Sequence, residues 1–162
     1  MSDEIAKRVL ETIKAVSQDR HKLVILLGVF GSGKTKILKQ IEAESDAVYV
    51  NLNLELSERF LQLPASKVGD GVTAPALIGD ICDQFSQGGK TLLIDNVELL
   101  FSPELSKINP VDTFKRMSRE RPVVLALPAV RQGNLAIYST PNSADYFPIP
   151  LEDFVVIEIE KE

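Results

Sequence analysis

Between residues 23 and 36 the chain reads L-V-I-L-L-G-V-F-G-S-G-K-T-K, and these residue types at this spacing suit the grip of a phosphate chain. Gly28, Gly33, Lys34 and Thr35 fill the pattern G-x-x-x-x-G-K-[ST], the phosphate-binding loop. Glycines at 28, 31 and 33 let the backbone curl with several N–H groups pointing inward, an anion nest capped by the positive end of the following helix. Lys34 supplies the charge for the β- and γ-phosphates, and the Thr35 hydroxyl completes the coordination of Mg²⁺. Phe30, Ser32 and Lys36 complete the loop expected to surround the nucleotide.

A second stretch, Lys90-Thr91-Leu92-Leu93-Ile94-Asp95-Asn96, carries the matching chemistry about sixty residues later. A mostly apolar strand ending in aspartate is the Walker B pattern: it lifts Asp95 to the carboxyl edge of a sheet, where it can hold Mg²⁺ through water. In Walker B ATPases of the additional-strand class, which includes the AAA+ proteins, an acid that polarises the attacking water stands at or just after that aspartate. Here Asn96 holds the place and Glu98 follows two residues on. If the chain turns helically after Asp95, Glu98 shares its side and is the candidate base, with Asn96 orienting the water. There is no N-K-x-D motif, and Asp95-Asn96-Val97-Glu98 is not the D-x-x-G of a GTPase switch, so adenine rather than guanine is expected.

Such groups need strands to present them and helices to cover the strands. Five buried-strand patterns occur, at residues 23–27, 47–50, 91–95, 122–127 and 154–159. Helical spacing links most of them: Ile5, Val9, Ile13 and Val16 mark a first helix; Ile37, Leu38 and Ile41 follow the glycine loop; Leu56, Phe60 and Leu63 run to Pro64. Thr73 and Pro75 open a further helix, and Asn109-Pro110 another. The expectation is a single P-loop NTPase domain over residues 1–162, with an N-terminal helix in 1–20 and an α/β core in 21–160. Its form is three-layer α/β/α around a mainly parallel five-stranded sheet, with no helical lid domain. Residues 128–153, with Pro128, Gly133, Pro141, Pro148 and Pro150, read as a loop-rich stretch too broken for a long helix. Asn51 and Asn53 end the second strand, where they either bond the Walker B carboxylates or cap the next helix.

With 44% hydrophobic and 25% charged residues among 162, the composition is that of a soluble globular protein. A net charge of −5 argues against a general nucleic-acid or membrane surface but leaves room for a local basic patch. One cluster has that character: Lys115, Arg116, Arg119 and Arg121. It reads as an arginine reaching a neighbouring subunit's nucleotide, as a phosphate-contacting patch, or as a solvated helix end complementing the dipole. Cys82 stands alone, without a disulfide or cysteine-zinc framework, and His21 has no second histidine for a metal site. No membrane-length apolar run or secretion signal is present, so the cytoplasm is expected.

The runs Asn51-Leu52-Asn53-Leu54-Glu55-Leu56-Ser57 and Leu93-Ile94-Asp95-Asn96-Val97-Glu98-Leu99-Leu100-Phe101-Ser102-Pro103-Glu104-Leu105, with the P-loop before them, resemble the BrxF family of small P-loop proteins from type III BREX phage-defence systems. The similarity runs over residues 23–127. It implies an ATP-binding, ATP-hydrolysing role beside a DNA methyltransferase, a large ATPase and a phosphatase-like protein, with homo-oligomerisation and direct DNA contact left open. Where AAA+ relatives place a polar sensor after the strand at 122–127, this chain has Pro128-Ala129, which puts γ-phosphate sensing in doubt. Two other readings stand beside it: a small-molecule kinase, which needs an arginine-bearing lid, and a nucleotide-dependent assembly switch with little turnover. Strand order separates the kinase from the others, because the additional-strand class inserts one strand between the P-loop and Walker B strands.

Overall fold

The run of β-branched and leucine residues after His21 forms β1 (Leu23–Gly28), every residue of which is buried. The computed structural model describes residues 2–160. Around β1 a five-stranded sheet assembles in the order β2, β3, β4, β1, β8, with β2 at Val48–Asn51, β3 at Leu92–Asp95, β4 at Val123–Pro128 and β8 at Val155–Glu158. All four neighbouring pairs are parallel. Parallel strands need crossovers, and the helices that supply them cover both faces.

Alternation along β1 sorts the two faces. Leu23, Ile25 and Leu27 point into one apolar cluster with Leu56, Ile78, Ile81 and Phe114. Those residues come from α3 (Leu52–Phe60), α4 (Thr73–Ser86) and α5 (Pro110–Met117). Val24 and Leu26 point the other way, into a cluster with Ala6, Val9, Ile37, Leu38 and Ile41 from α1 (Ser2–Ala15) and α2 (Lys34–Glu44). Three layers, α/β/α, follow directly from the period of two in the strand. Truncating a fully buried side chain such as Ile25 to alanine should cost about 2–5 kcal/mol, the lost burial together with the cavity left behind.

The sheet order has a consequence for function: β4 lies between the P-loop strand β1 and the Walker B strand β3. This is the inserted strand expected of the additional-strand class. All five strands end at the same edge, and Gly28, Asn51, Asp95 and Pro128 close β1, β2, β3 and β4 there.

Residues 128–153 are more regular than the loop-rich stretch expected of them. They hold a three-stranded antiparallel sheet, β5 (Val130–Gln132), β6 (Leu135–Tyr138) and β7 (Phe147–Pro150), in the order β5, β6, β7. Of the prolines that suggest a broken chain, Pro128 ends β4 and Pro141 lies in the turn before β7, while two sit on β7, an edge strand, where Pro148 faces Ile137 and Pro150 faces Leu135. A proline on an edge removes no donor that a further strand needs. Gly133, with φ of 60°, makes the tight turn from β5 to β6. Ala136 and Ile149 are fully buried, and Tyr138 stacks on Phe101 with ring centroids 4.0 Å apart, so the small sheet is anchored to the main core.

Candidate nucleotide-binding site

The loop between β1 and α2 is held in a shape only glycine allows at two points. Gly31 and Gly33 have φ of 80° and 100°, in the left-handed region that other residues avoid. Gly28 makes room of a different kind: a Cβ there would lie 2.5 Å from Ser32 Oγ and 3.3 Å from Ser32 Cβ, so the serine would have to move. These constraints hollow the loop, and the Lys34 ammonium lies in it. Nζ donates to Gly28 O at 2.6 Å, to Val29 O at 2.8 Å and to Ser32 Oγ at 3.3 Å. Burial pushes the ammonium's pKa below its ordinary 10.5, while Asp95 and Glu98 pull it back up. Held by two carbonyls and a hydroxyl, this buried ammonium keeps a positive charge in the loop, where it attracts an anion.

Beside it, Thr35 and Asp95 meet across the sheet edge. Thr35 Oγ1 donates to Asp95 Oδ2 at 2.6 Å, and Tyr49 Oη donates to the same oxygen at 2.7 Å. The other carboxylate oxygen, Oδ1, accepts the Asn96 N–H at 3.0 Å. Asp95 is buried, which orients its carboxylate toward the P-loop. Tyr49 was not anticipated as a site residue, since a tyrosine inside a four-residue strand carries no motif. Burial first, and then the bond to Asp95, push its phenol above the ordinary range, so it stays a donor.

Directly after Asp95 the chain is not helical. Asn96 takes the left-handed conformation, φ 56°, which asparagine tolerates better than most residues. Its carbonyl accepts the Asn53 N–H at 2.9 Å, and the chain then enters a 3-10 turn at Glu98–Phe101. Glu98 still reaches the same cavity as Asp95. The two asparagines after β2 divide the roles set out for them. Asn51 caps α3, accepting the Leu54 N–H at 3.2 Å. Asn53 instead reaches the acid: its Nδ2 donates to Glu98 Oε2 at 2.7 Å.

A cavity of about 290 Å³ brings together Phe30, Gly31, Gly33, Lys34, Thr35, Asp95, Asn96, Glu98 and Pro128. Of the loop residues expected there, Ser32 supports Lys34 from behind, and Lys36 is exposed on α2 and does not line the cavity. Pro128 occupies the wall where a polar sensor would stand. Among the described residues no group of three or more His, Cys, Asp or Glu forms a metal cage. Thr35 and Asp95 together offer the sparse oxygen set that suits Mg²⁺ carried by phosphates.

The basic cluster at Lys115–Arg121 lies away from the chain's own cavity. Arg121 is buried, with Nη2 bonded to Asp83 Oδ1 at 2.6 Å and to Glu120 Oε2 at 2.9 Å. It and Arg119 stand just before β4 begins, at the opposite end of the sheet from the P-loop. The chain's own cavity therefore receives no arginine from this cluster.

No family model matches the chain, and no curated protein does. Solved structures do. One, a DNA replication initiation factor, superposes with a TM-score of 0.53 at 16% identity, over 96% of this chain and 46% of that one. PCH-2 of C. elegans superposes with a TM-score of 0.50 at 15% identity, over 99% of this chain and 43% of that one. What the chain shares with both is a fold, helices on either side of a mainly parallel five-stranded sheet. At these identities the likeness concerns the fold alone, and the chain spans less than half the length of either structure. Among the described residues, no helix is long and apolar enough to cross a membrane.

Proposed function

We propose that this chain binds ATP with Mg²⁺ and hydrolyses it as a single P-loop domain in the cytoplasm, and that it works within a bacterial BREX anti-phage complex. The observation that carries the nucleotide reading is the Thr35–Asp95 contact at 2.6 Å, which joins the two halves of a phosphate and Mg²⁺ site at one sheet edge. In this reading the loop of Gly28, Phe30, Gly31, Ser32, Gly33, Lys34 and Thr35 surrounds the phosphates, without Lys36, and Thr35 and Asp95 hold the metal. Bound Mg²⁺ supplies charge neutralisation on the phosphate oxygens.

The chain's own residues have distinct tasks. Lys34 draws negative charge from the β- and γ-phosphates, an electrostatic role that grows as charge shifts in the transition state. Glu98 accepts the proton of the attacking water, and Asn96 orients that water. Asn53 holds the Glu98 carboxylate by a charge-assisted hydrogen bond, which keeps the base occupied until something displaces the amide. That contact also favours a second reading, a nucleotide-dependent assembly switch with little turnover. The kinase reading loses support, because β4 separates β1 from β3 and the arginine cluster lies at the far edge.

The defence role rests on the resemblance of residues 51–57 and 93–105 to BrxF, which would place the chain beside a DNA methyltransferase, a large ATPase and a phosphatase-like protein. The deciding experiment measures ATP turnover and mass in solution for the protein alone, with DNA, and with each of those partners, using Glu98→Gln as control. Turnover that rises with a partner and vanishes in Glu98→Gln supports hydrolysis. Binding without turnover under every condition supports the switch.

A further inference from the structure

The end of the sheet opposite the nucleotide cavity carries a cluster of cations that the ATP reading does not use. Two segments about a hundred residues apart build it. The link before β1 holds Arg20, His21 and Lys22, and the end of α5 with the turn after it holds Lys115, Arg116 and Arg119. Three hydrogen bonds clamp them together: Lys22 N–H to Ser118 O at 3.2 Å, Val123 N–H to Lys22 O at 2.9 Å, and Lys22 Nζ to Arg119 O at 3.1 Å. Across the seam, Arg119 Nε donates to His21 Nε2 at 3.1 Å, so this imidazole is neutral and adds no acceptor charge.

The five lysine and arginine side chains have no carboxylate within 4 Å among the described residues; the ion pairs found lie elsewhere. Glu120, next in sequence, is turned to Arg121. Asp19, Glu152 and Asp153 line a neighbouring recess with His21 and Lys115, so the positive surface is bordered by acidic side chains there. The negative end of α5 accounts for part of the cluster: a helix terminus amounts to roughly half an elementary charge, too little for five cations. Unpaired like charges held together by backbone hydrogen bonds, in a chain of net charge −5, form a surface made for an external polyanion.

We propose that this edge binds the phosphate backbone of a nucleic acid, in a sequence-independent way and separately from ATP. Arginine forks pair with phosphate oxygens in a bidentate manner, and three of the five cations are arginines. Ser17, Gln18, Asp19 and Glu120 beside the cluster are exposed and polar, and the apolar side chains of the adjoining recess are few, Phe154 half-buried beneath the Lys115 ammonium and Val155 38% exposed. That is too little apolar surface for membrane insertion and favours nucleic acid over a lipid surface. The six residues of β1 put this edge about 20 Å from Gly28, so both ligands can bind at once.

The test is anisotropy titration of the full chain with fluorescein-labelled 20-mers of duplex DNA, single-stranded DNA and RNA, across salt concentrations. Binding by one or more of these is expected, with duplex affinity falling with salt at a slope of about −3 on logarithmic axes, as for roughly three phosphate contacts. Replacing Arg20, Arg116 and Arg119 together by Gln should weaken binding at least about tenfold and flatten that slope. Replacing Lys67, Lys107 and Arg131 by Gln removes the same charge elsewhere and should leave binding within about twofold; thermal melts confirm that both variants fold. Lys34→Ala, which tests the ATP site, should leave nucleic-acid binding unchanged. The proposal is overturned if none of the 20-mers binds, if both triple variants weaken binding equally, if Lys34→Ala abolishes it, or if vesicles with anionic lipid or polyglutamate bind this edge and the 20-mers do not.

Discussion

Asn53, in the first turn of α3, donates Nδ2 to Oε2 of Glu98 at 2.7 Å while its Oδ1 accepts the Leu99 N–H at 3.1 Å. One amide therefore fixes both the carboxylate and the backbone of the 3-10 turn that carries it. A Glu98 acting as base has to exchange this partner for water. Asn53→Ala should raise ATP turnover by about tenfold, the equivalent of roughly 1.5 kcal/mol for one hydrogen bond to a charged group, provided Glu98 is the base. Steady-state phosphate release checks it, and a rate that stays level or falls assigns Asn53 a purely structural role.

Lys34→Ala should lower ATP affinity about ten- to a hundredfold by removing a charged phosphate contact worth roughly 1.5–3 kcal/mol. Because burial lowers the Lys34 pKa from 10.5, the ammonium is lost at a lower pH than in an unfolded chain. Affinity in the wild type should therefore weaken as pH rises through that lowered value, before 10.5 is reached. Titration calorimetry of both proteins across the alkaline range tests this; an affinity indifferent to the substitution would count against the site.

Tyr49→Phe deletes one of the two hydroxyl donors to Asp95 Oδ2 and leaves Thr35 in place. A single hydrogen bond of this kind is worth about 1–3 kcal/mol, which corresponds to a melting point lower by roughly 2–10 °C for a domain of this size. Calorimetric melting decides the matter. An unchanged melting point would mean that the Tyr49 hydroxyl contributes nothing net.

Asp70 accepts the Thr73 N–H and Oγ1–H and the Val72 N–H at the start of α4, at 2.8, 2.7 and 2.9 Å. Those bonds, led by the Thr73 N–H, lower its pKa to about 2 from the ordinary 3.8. A depressed carboxylate stabilises the fold above its unfolded pKa, so this contribution is complete above pH 3.8 and is lost as pH falls through about 2. A carbon-13 NMR titration of the Asp70 carboxyl should find its midpoint near 2, and Asp70→Asn should erase the step. A midpoint close to 3.8 would show that the cap is open in solution.

Much of the architecture was legible because each rule it uses is local. Apolar runs of strand length, separated by helical spacing, identified the five strands of the parallel sheet and the layers around it. The Gly28, Gly33, Lys34 and Thr35 spacing works within a single turn, so the loop could be read without knowing what lay around it. Asp95 could be found for the same reason, as the end of one strand.

Contacts across sequence were decided only by the tertiary structure. Strand order is set by which helix faces pack together, so the insertion of β4 between β1 and β3 is not written in any single segment. Tyr49 joins Asp95, and Asn53 joins Glu98, because parallel pairing of β2 with β3 puts Asn51 beside Asp95 at one edge. The small antiparallel sheet escaped notice because its strands have only three or four residues and its prolines sit on an edge, where breaking rules do not apply. Arg121 looked available in sequence, yet burial against Asp83 removes it, since a charge taken out of water must be paired. Composition sums charge over the whole chain and hides the basic edge, whereas the fold brings Arg20 and Lys22 beside Lys115 and Arg119 by backbone bonds formed across almost a hundred residues.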